Sequence, residues 1–105
     1  VMMNYPSGGG HLEAHQDPES FQKLVIMIKL SKKGKDYQKG SFFIQEGNSI
    51  NEDIDDYLDA GDMYIINPSC THGVSPIDPE LPLDLSKNSG RWSMWCSLVK
   101  YKSLI

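Results

Sequence analysis

The sequence predicts an all-β domain, a small sandwich or barrel with little helix. Turn residues recur at short intervals along the chain, which suits short strands better than helices. The strongest ordered stretch, residues 21–30, alternates with a period of two. No segment repeats apolar residues at helical spacing over a useful length. About eight short strands joined by Gly and Pro turns fit two packed sheets or a closed barrel.

Taken in order, residues 1–6 read as a strand, closed by the turn Ser7-Gly8-Gly9-Gly10. Residues 12–16 form a short strand, which Pro18-Glu19-Ser20 breaks. Within residues 21–30, Leu24, Ile26, Ile28 and Leu30 make a wholly apolar set, expected in the core. The alternate set, Lys23, Val25, Met27 and Lys29, is mixed and expected to be partly wet. Gly34-Lys35-Asp36 and Lys39-Gly40 bracket a loop before a strand at residues 41–45, and Glu46-Gly47-Asn48 turns it. The acidic stretch 51–58 is a strand end or one helical turn. Ala60-Gly61-Asp62 launches a strand over residues 63–67, and residues 69–77 hold His72. Residues 78–90 contain Pro79 and Pro82 and no periodicity, so they read as a loop. Residues 91–102 are the last long strand.

The 105 residues suit a single domain, 1–105, with a modest core. At 39% hydrophobic and 23% charged, the composition is that of a globular chain. A net charge of −4 argues against nucleic acid or an anionic membrane surface as partner. The basic run Ser31-Lys32-Lys33-Gly34-Lys35 reads as a solvated turn, with phosphate binding as the sharper alternative. Two cysteines, Cys70 and Cys96, are too few for a disulfide framework and suit thiols in a reducing, cytoplasmic setting. No apolar run reaches the ~18–20 residues of a membrane span, and no secretory signal layout precedes the first strand. Val1 already begins that strand, so the expectation is a core from a longer protein, without an N-terminal helical segment.

The chemistry concentrates at His15-Gln16-Asp17. On a strand, residues two apart point to one side, so an imidazole and a carboxylate would project together. They supply two of the three ligands of a facial triad, which holds non-haem Fe(II) and leaves adjacent coordination positions open. His72, at the end of an apolar strand and beside Gly73, is the candidate third ligand; a structural or exposed imidazole is its plainer reading. Arg91 and Ser93 share a strand face, where a guanidinium fork and a hydroxyl can grip the far carboxylate of a small dicarboxylic acid. The plainer reading makes Arg91 a surface residue, with Trp92, Met94, Cys96 and Leu98 as the core face. Trp95 shares the Arg91 and Ser93 face and is a candidate pocket wall. A helical zinc pair of His11 and His15 is disfavoured by the preceding glycines and by Pro18. His11 reads as an exposed turn residue or a rim contact, Cys70 as a buried thiol, and Glu13 either as a neighbour of His15 and Asp17 or as a solvated side chain.

In the order His15-x-Asp17, His72, Arg91-x-Ser93, each on a strand, the chain resembles the 2-oxoglutarate/Fe(II)-dependent oxygenases over nearly its whole length. The turn from Leu30 to Tyr37, Gly40 before a strand, and Gly61-Asp62 before the next are similar to that family's layout. The resemblance implies a double-stranded β-helix, the jelly-roll or cupin-like barrel. It implies Fe(II) bound by His15, Asp17 and His72, with 2-oxoglutarate and O2 as cosubstrates. Arg91 would pair with the distal carboxylate, Ser93 would support it, and Tyr5 would touch the cosubstrate or serve only as a core or rim aromatic. The implied reaction is hydroxylation of an unactivated C–H in a small metabolite, an amino acid or a protein side chain, with 2-oxoglutarate decarboxylated to succinate. The chain departs from the family in lacking the helices usually placed behind the larger sheet, and in the long 78–89 loop between His72 and Arg91. A cupin-type metal enzyme not using 2-oxoglutarate is the first rival, although its first motif needs a His where Asp17 stands. A non-catalytic small-ligand-binding jelly roll is the second.

Overall fold

The computed structural model describes residues 1–17 and 22–99. Among the described residues, eight strands run in chain order: β1 (Met2–Tyr5), β2 (Gly10–His15), β3 (Gln22–Lys29), β4 (Phe42–Glu46), β5 (Ser49–Asn51), β6 (Met63–Ile66), β7 (Thr71–Ile77) and β8 (Arg91–Val99). The only helical element among the described residues is a single 3-10 turn, Ile54–Tyr57, on the acidic stretch. No helix there is long and apolar enough to cross a membrane. The break expected at Pro18-Glu19-Ser20 and the end of the last strand at Lys102 lie outside the described residues.

Two four-stranded antiparallel sheets face each other, ordered β1-β8-β3-β6 and β2-β7-β4-β5. No described strand pairs across from one sheet to the other, so the closed barrel among the expectations is corrected to an open sandwich. Four of the ladders join β1 to β8, β2 to β7, β3 to β6 and β4 to β5. Those are the pairs a chain makes when doubled back on itself at the β4–β5 turn. The turn is tight: Glu46 pairs with Ser49 across Gly47 and Asn48. β5 itself was not expected as a strand of its own, because its three exposed residues are too few to show alternation.

The core lies between the sheets and is built on Tyr5, Val25, Met27, Tyr37, Phe42, Ile66, Val74 and Ile77. The inner face of β3 is therefore the mixed set, not the wholly apolar one. Val25, Met27 and Lys29 are buried, while Ile26 and Ile28 are half-buried and Leu30 is exposed. The parity was misread because a lysine marks a wet face only when it has no buried counter-ion, and Lys29 has one. The outer face of the same sheet is apolar too, with Met2, Met94, Ile28 and Met63 in one row across four strands. Trp92 belongs to that outer face and is half-buried, so its expected core role is corrected as well.

Two details set the site. Gly90 adopts φ +95, and a Cβ there would lie 2.2 Å from the Tyr5 carbonyl oxygen. Only glycine lets β8 begin this close to β1, and Arg91 follows immediately. Asp78, buried at the start of the long loop, accepts from Ser7 Oγ at 2.7 Å and from the Gln38 and Lys39 amides at 2.9 and 2.8 Å. It ties three connections together, and those bonds hold its carboxyl below the ordinary range although burial works the other way.

Candidate metal centre and buried anion site

His15 and His72 are register partners across β2 and β7, so the ladder itself sets their rings side by side, 4.5 Å between centroids. Asp17 lies just past β2, where its amide donates to the Pro68 carbonyl at 2.8 Å. That bond turns the carboxylate back toward both rings. Asp17 Oδ1 is 3.3 Å from His15 Nε2, and Oδ2 is 3.3 Å from His72 Nε2. The three side chains offer one ligand atom each, all within 4.8 Å of one another. Donors about 2.1 Å from a shared ion and at right angles would stand about 3 Å apart, so the set can hold a metal with little adjustment. The Nδ1 nitrogens are 2.8 Å from the Glu13 carbonyl and 2.7 Å from the Cys70 carbonyl. A carbonyl oxygen can only accept, so each Nδ1 is the donor, and in the neutral imidazole each Nε2 offers its lone pair to a cation.

A register shift in β2 between Leu12 and His15 decides between the two readings of Glu13. A bulge adds a residue, so Leu12 and His15, three apart, face the same cavity. Glu13 takes the solvated one of its two expected placements and pairs with the exposed His11 at 3.1 Å. Cys70 is half-buried and contributes its carbonyl, not its sulfur, to His72.

The triad opens on a cavity of about 390 Å³ between the sheets, walled by Met27, Phe42, Ile66, Val74 and Trp95 and reached by Tyr5. Trp95 is thus a wall, as expected. A larger hollow of about 660 Å³ under the 78–90 loop is flanked by Asp36, Asp78 and Asp84. Those carboxylates are taken up by Lys32, by Ser7, Gln38 and Lys39, and by Ser86, respectively, so no donor set converges there. Lys32 and Lys33 are paired with Asp59 and Asp56, in keeping with a solvated turn.

Arg91 and Ser93 are both fully buried on the inner face of β8. Tyr5 is the register partner of Arg91, and burial raises its hydroxyl pKa against the pull of the guanidinium. The guanidinium fork is not free, however. Its Nε and one Nη donate to the two oxygens of Asp55 at 2.8 and 3.1 Å, and the same Nη reaches the Tyr64 hydroxyl at 3.1 Å. Burial alone would raise the Asp55 carboxyl, but hydrogen bonding and charge from Arg91, with Tyr37 and Lys29, hold it below the usual range. The other nitrogen, Nη1, and Ser93 Oγ are buried with no hydrogen-bond partner among the described residues. Two donors left unmatched side by side on one strand face are costly unless a ligand accepts from them.

Sequence reasoning missed Asp55 and Lys29. Asp55 stands among Glu52, Asp53 and Asp56 with nothing to single it out, and a 3-10 turn alone selects it for burial. Lys29 did carry a signal: a cation at the parity position of Val25 and Met27. Scans against protein-family models, curated proteins and solved structures each returned no match, so the centre stands on its geometry alone.

Proposed function

We propose that the protein is a 2-oxoglutarate- and Fe(II)-dependent dioxygenase that hydroxylates a C–H bond of a small-molecule or amino-acid-like substrate. The observation that carries the reading is the two-imidazole, one-carboxylate set with both Nε2 atoms freed by bonds at Nδ1. Such a set suits ferrous iron and leaves three adjacent positions for other ligands. The doubled-chain strand pairing supports the double-stranded β-helix reading of the fold.

Iron held there would supply the activation of O2 that couples decarboxylation of the oxo acid to succinate and CO2 with insertion of one oxygen atom into the substrate C–H. The chain's own residues do the rest. His15 and Asp17 are partly exposed at the mouth, whereas Arg91 and Ser93 are sealed within. That polarity fits a dicarboxylate inserted lengthwise, one end at the triad and the far carboxylate on Arg91 Nη1 and Ser93 Oγ. Met27, Phe42 and Val74 would exclude water along its length.

The test is anaerobic. Adding Fe(II) and 2-oxoglutarate to wild-type protein should give a visible charge-transfer band, and admitting air should release succinate. His72→Ala should show neither. Wild-type protein with no band and no succinate overturns the reading.

A further inference from the structure

The inner face of the β1-β8-β3-β6 sheet carries more positive charge than it cancels. Lys29 and Ser93 are register partners across β3 and β8, with Arg91 two residues along, and all three are fully buried. Asp55 enters from the 3-10 turn, bonded twice to Arg91 and 4.0 Å from Lys29 Nζ. Tyr37 donates to the same carboxylate, and Tyr64 shares the Arg91 Nη. Burial raises both phenols, so they stay neutral. Two cations then face one anion in a region closed to water. A buried net charge is costly unless it is paired. Among the described residues, Arg91 Nη1 and Ser93 Oγ are unspent donors on these same side chains, with Ser97 Oγ further along β8.

We propose that Lys29 is a binding determinant of this site, supplying the positive charge that one ligand carboxylate at Arg91 Nη1 and Ser93 Oγ completes, while Asp55 is the positioning residue that holds the Arg91 fork. That the carboxylate belongs to an oxo dicarboxylate rests on the oxygenase reading; the charge count does not.

Among the described residues, charged and polar groups face Lys29 from several elements. Its Nζ donates to the Ser31 carbonyl at 2.8 Å and sits 4.9 Å above the Tyr37 ring. Asp55 faces it from the turn and Arg91 from β8, and Lys32 and Asp36 act from the loop that follows. Burial brings the ammonium down to about 8, with Asp55 opposing and Arg91 adding to the fall. A bound carboxylate favours the protonated form, so affinity should fall as pH rises past that value.

Calorimetry on metal-free protein tests this, with acetate, succinate and 2-oxoglutarate as probes at constant ionic strength. From about pH 7 to about pH 9.5, wild-type affinity for at least one of the three should fall roughly tenfold. Lys29→Met keeps the aliphatic volume and removes a buried charge, so it should fold. It should bind about tenfold more weakly near neutrality and lose the pH dependence. Asp55→Asn should move the pH window lower, because the carboxylate that supports the Lys29 proton is gone. A flat wild-type profile, or Lys29→Met matching wild type in affinity and slope, overturns the proposal. So does wild-type protein that binds none of the three probes. Should acetate or succinate bind with the expected signature while Fe(II) and 2-oxoglutarate give no band, the charge cluster stands and the oxygenase reading falls.

Discussion

Asp55 shows how one buried carboxylate can organise several neighbours. Arg91 Nε, Arg91 Nη, the Tyr37 hydroxyl and, further off, Lys29 all converge on its two oxygens. Hydrogen bonds to a buried charge are worth about 1.5–3 kcal/mol each. Tyr37→Phe removes one donor and leaves the Arg91 fork in place, so it should cost about 2 kcal/mol in urea unfolding. A cost near zero would mean that the phenol contributes nothing to holding Asp55. At this scale the sequence was partly legible. His15, Asp17 and His72 could be picked out because few other residue types make such ligands. Asp55 could not, since any of its acidic neighbours would have served as well on paper.

At the scale of elements, the site depends on how closely β7 runs between β2 and β4. Gly73 follows His72, and a Cβ there would meet the Leu12 carbonyl oxygen at 2.5 Å and the Phe43 ring at 2.7 Å. The glycine lets the backbone of β2 and the ring of Phe43 approach β7 beside the imidazole. Gly73→Ala should cost about 1–3 kcal/mol and push β2 outward, parting His15 from His72. Metal affinity, measured by titration with Mn(II), should fall by about tenfold or more while the far-ultraviolet dichroism stays that of a β protein. Gly47→Ala is the control. Its Cβ would meet nothing within 4 Å, and φ +59 gives it a backbone cost without any contact with the site. That variant should lose stability and keep its metal affinity.

For the whole molecule, the buried cluster ties stability to pH at both ends. Lys29 falls from 10.5 to about 8 on folding, and at about 1.4 kcal/mol per pH unit its charged form costs about 3 kcal/mol. Between about 8 and 10.5 the unfolded chain binds the extra proton, so stability should rise with pH across that window. Asp55 behaves oppositely: its contribution is present above the ordinary carboxylate range and is lost as pH falls through its depressed value. Urea unfolding of wild type and Lys29→Met at several alkaline pH values should show the rise in the first and not in the second. The same rise in both would remove Lys29 as its cause.

The sequence by itself determined the β class and most strand positions, and it singled out His15, Asp17 and His72, which the fold brings together, because turn chemistry, period-two alternation and ligand type are local properties. Tertiary structure decided which face of β3 is inside, where the β2 bulge falls, and that the Arg91 fork is spent on Asp55. Those depend on what stands across the sandwich, and a buried cation is tolerable only when a partner far along the chain arrives to meet it.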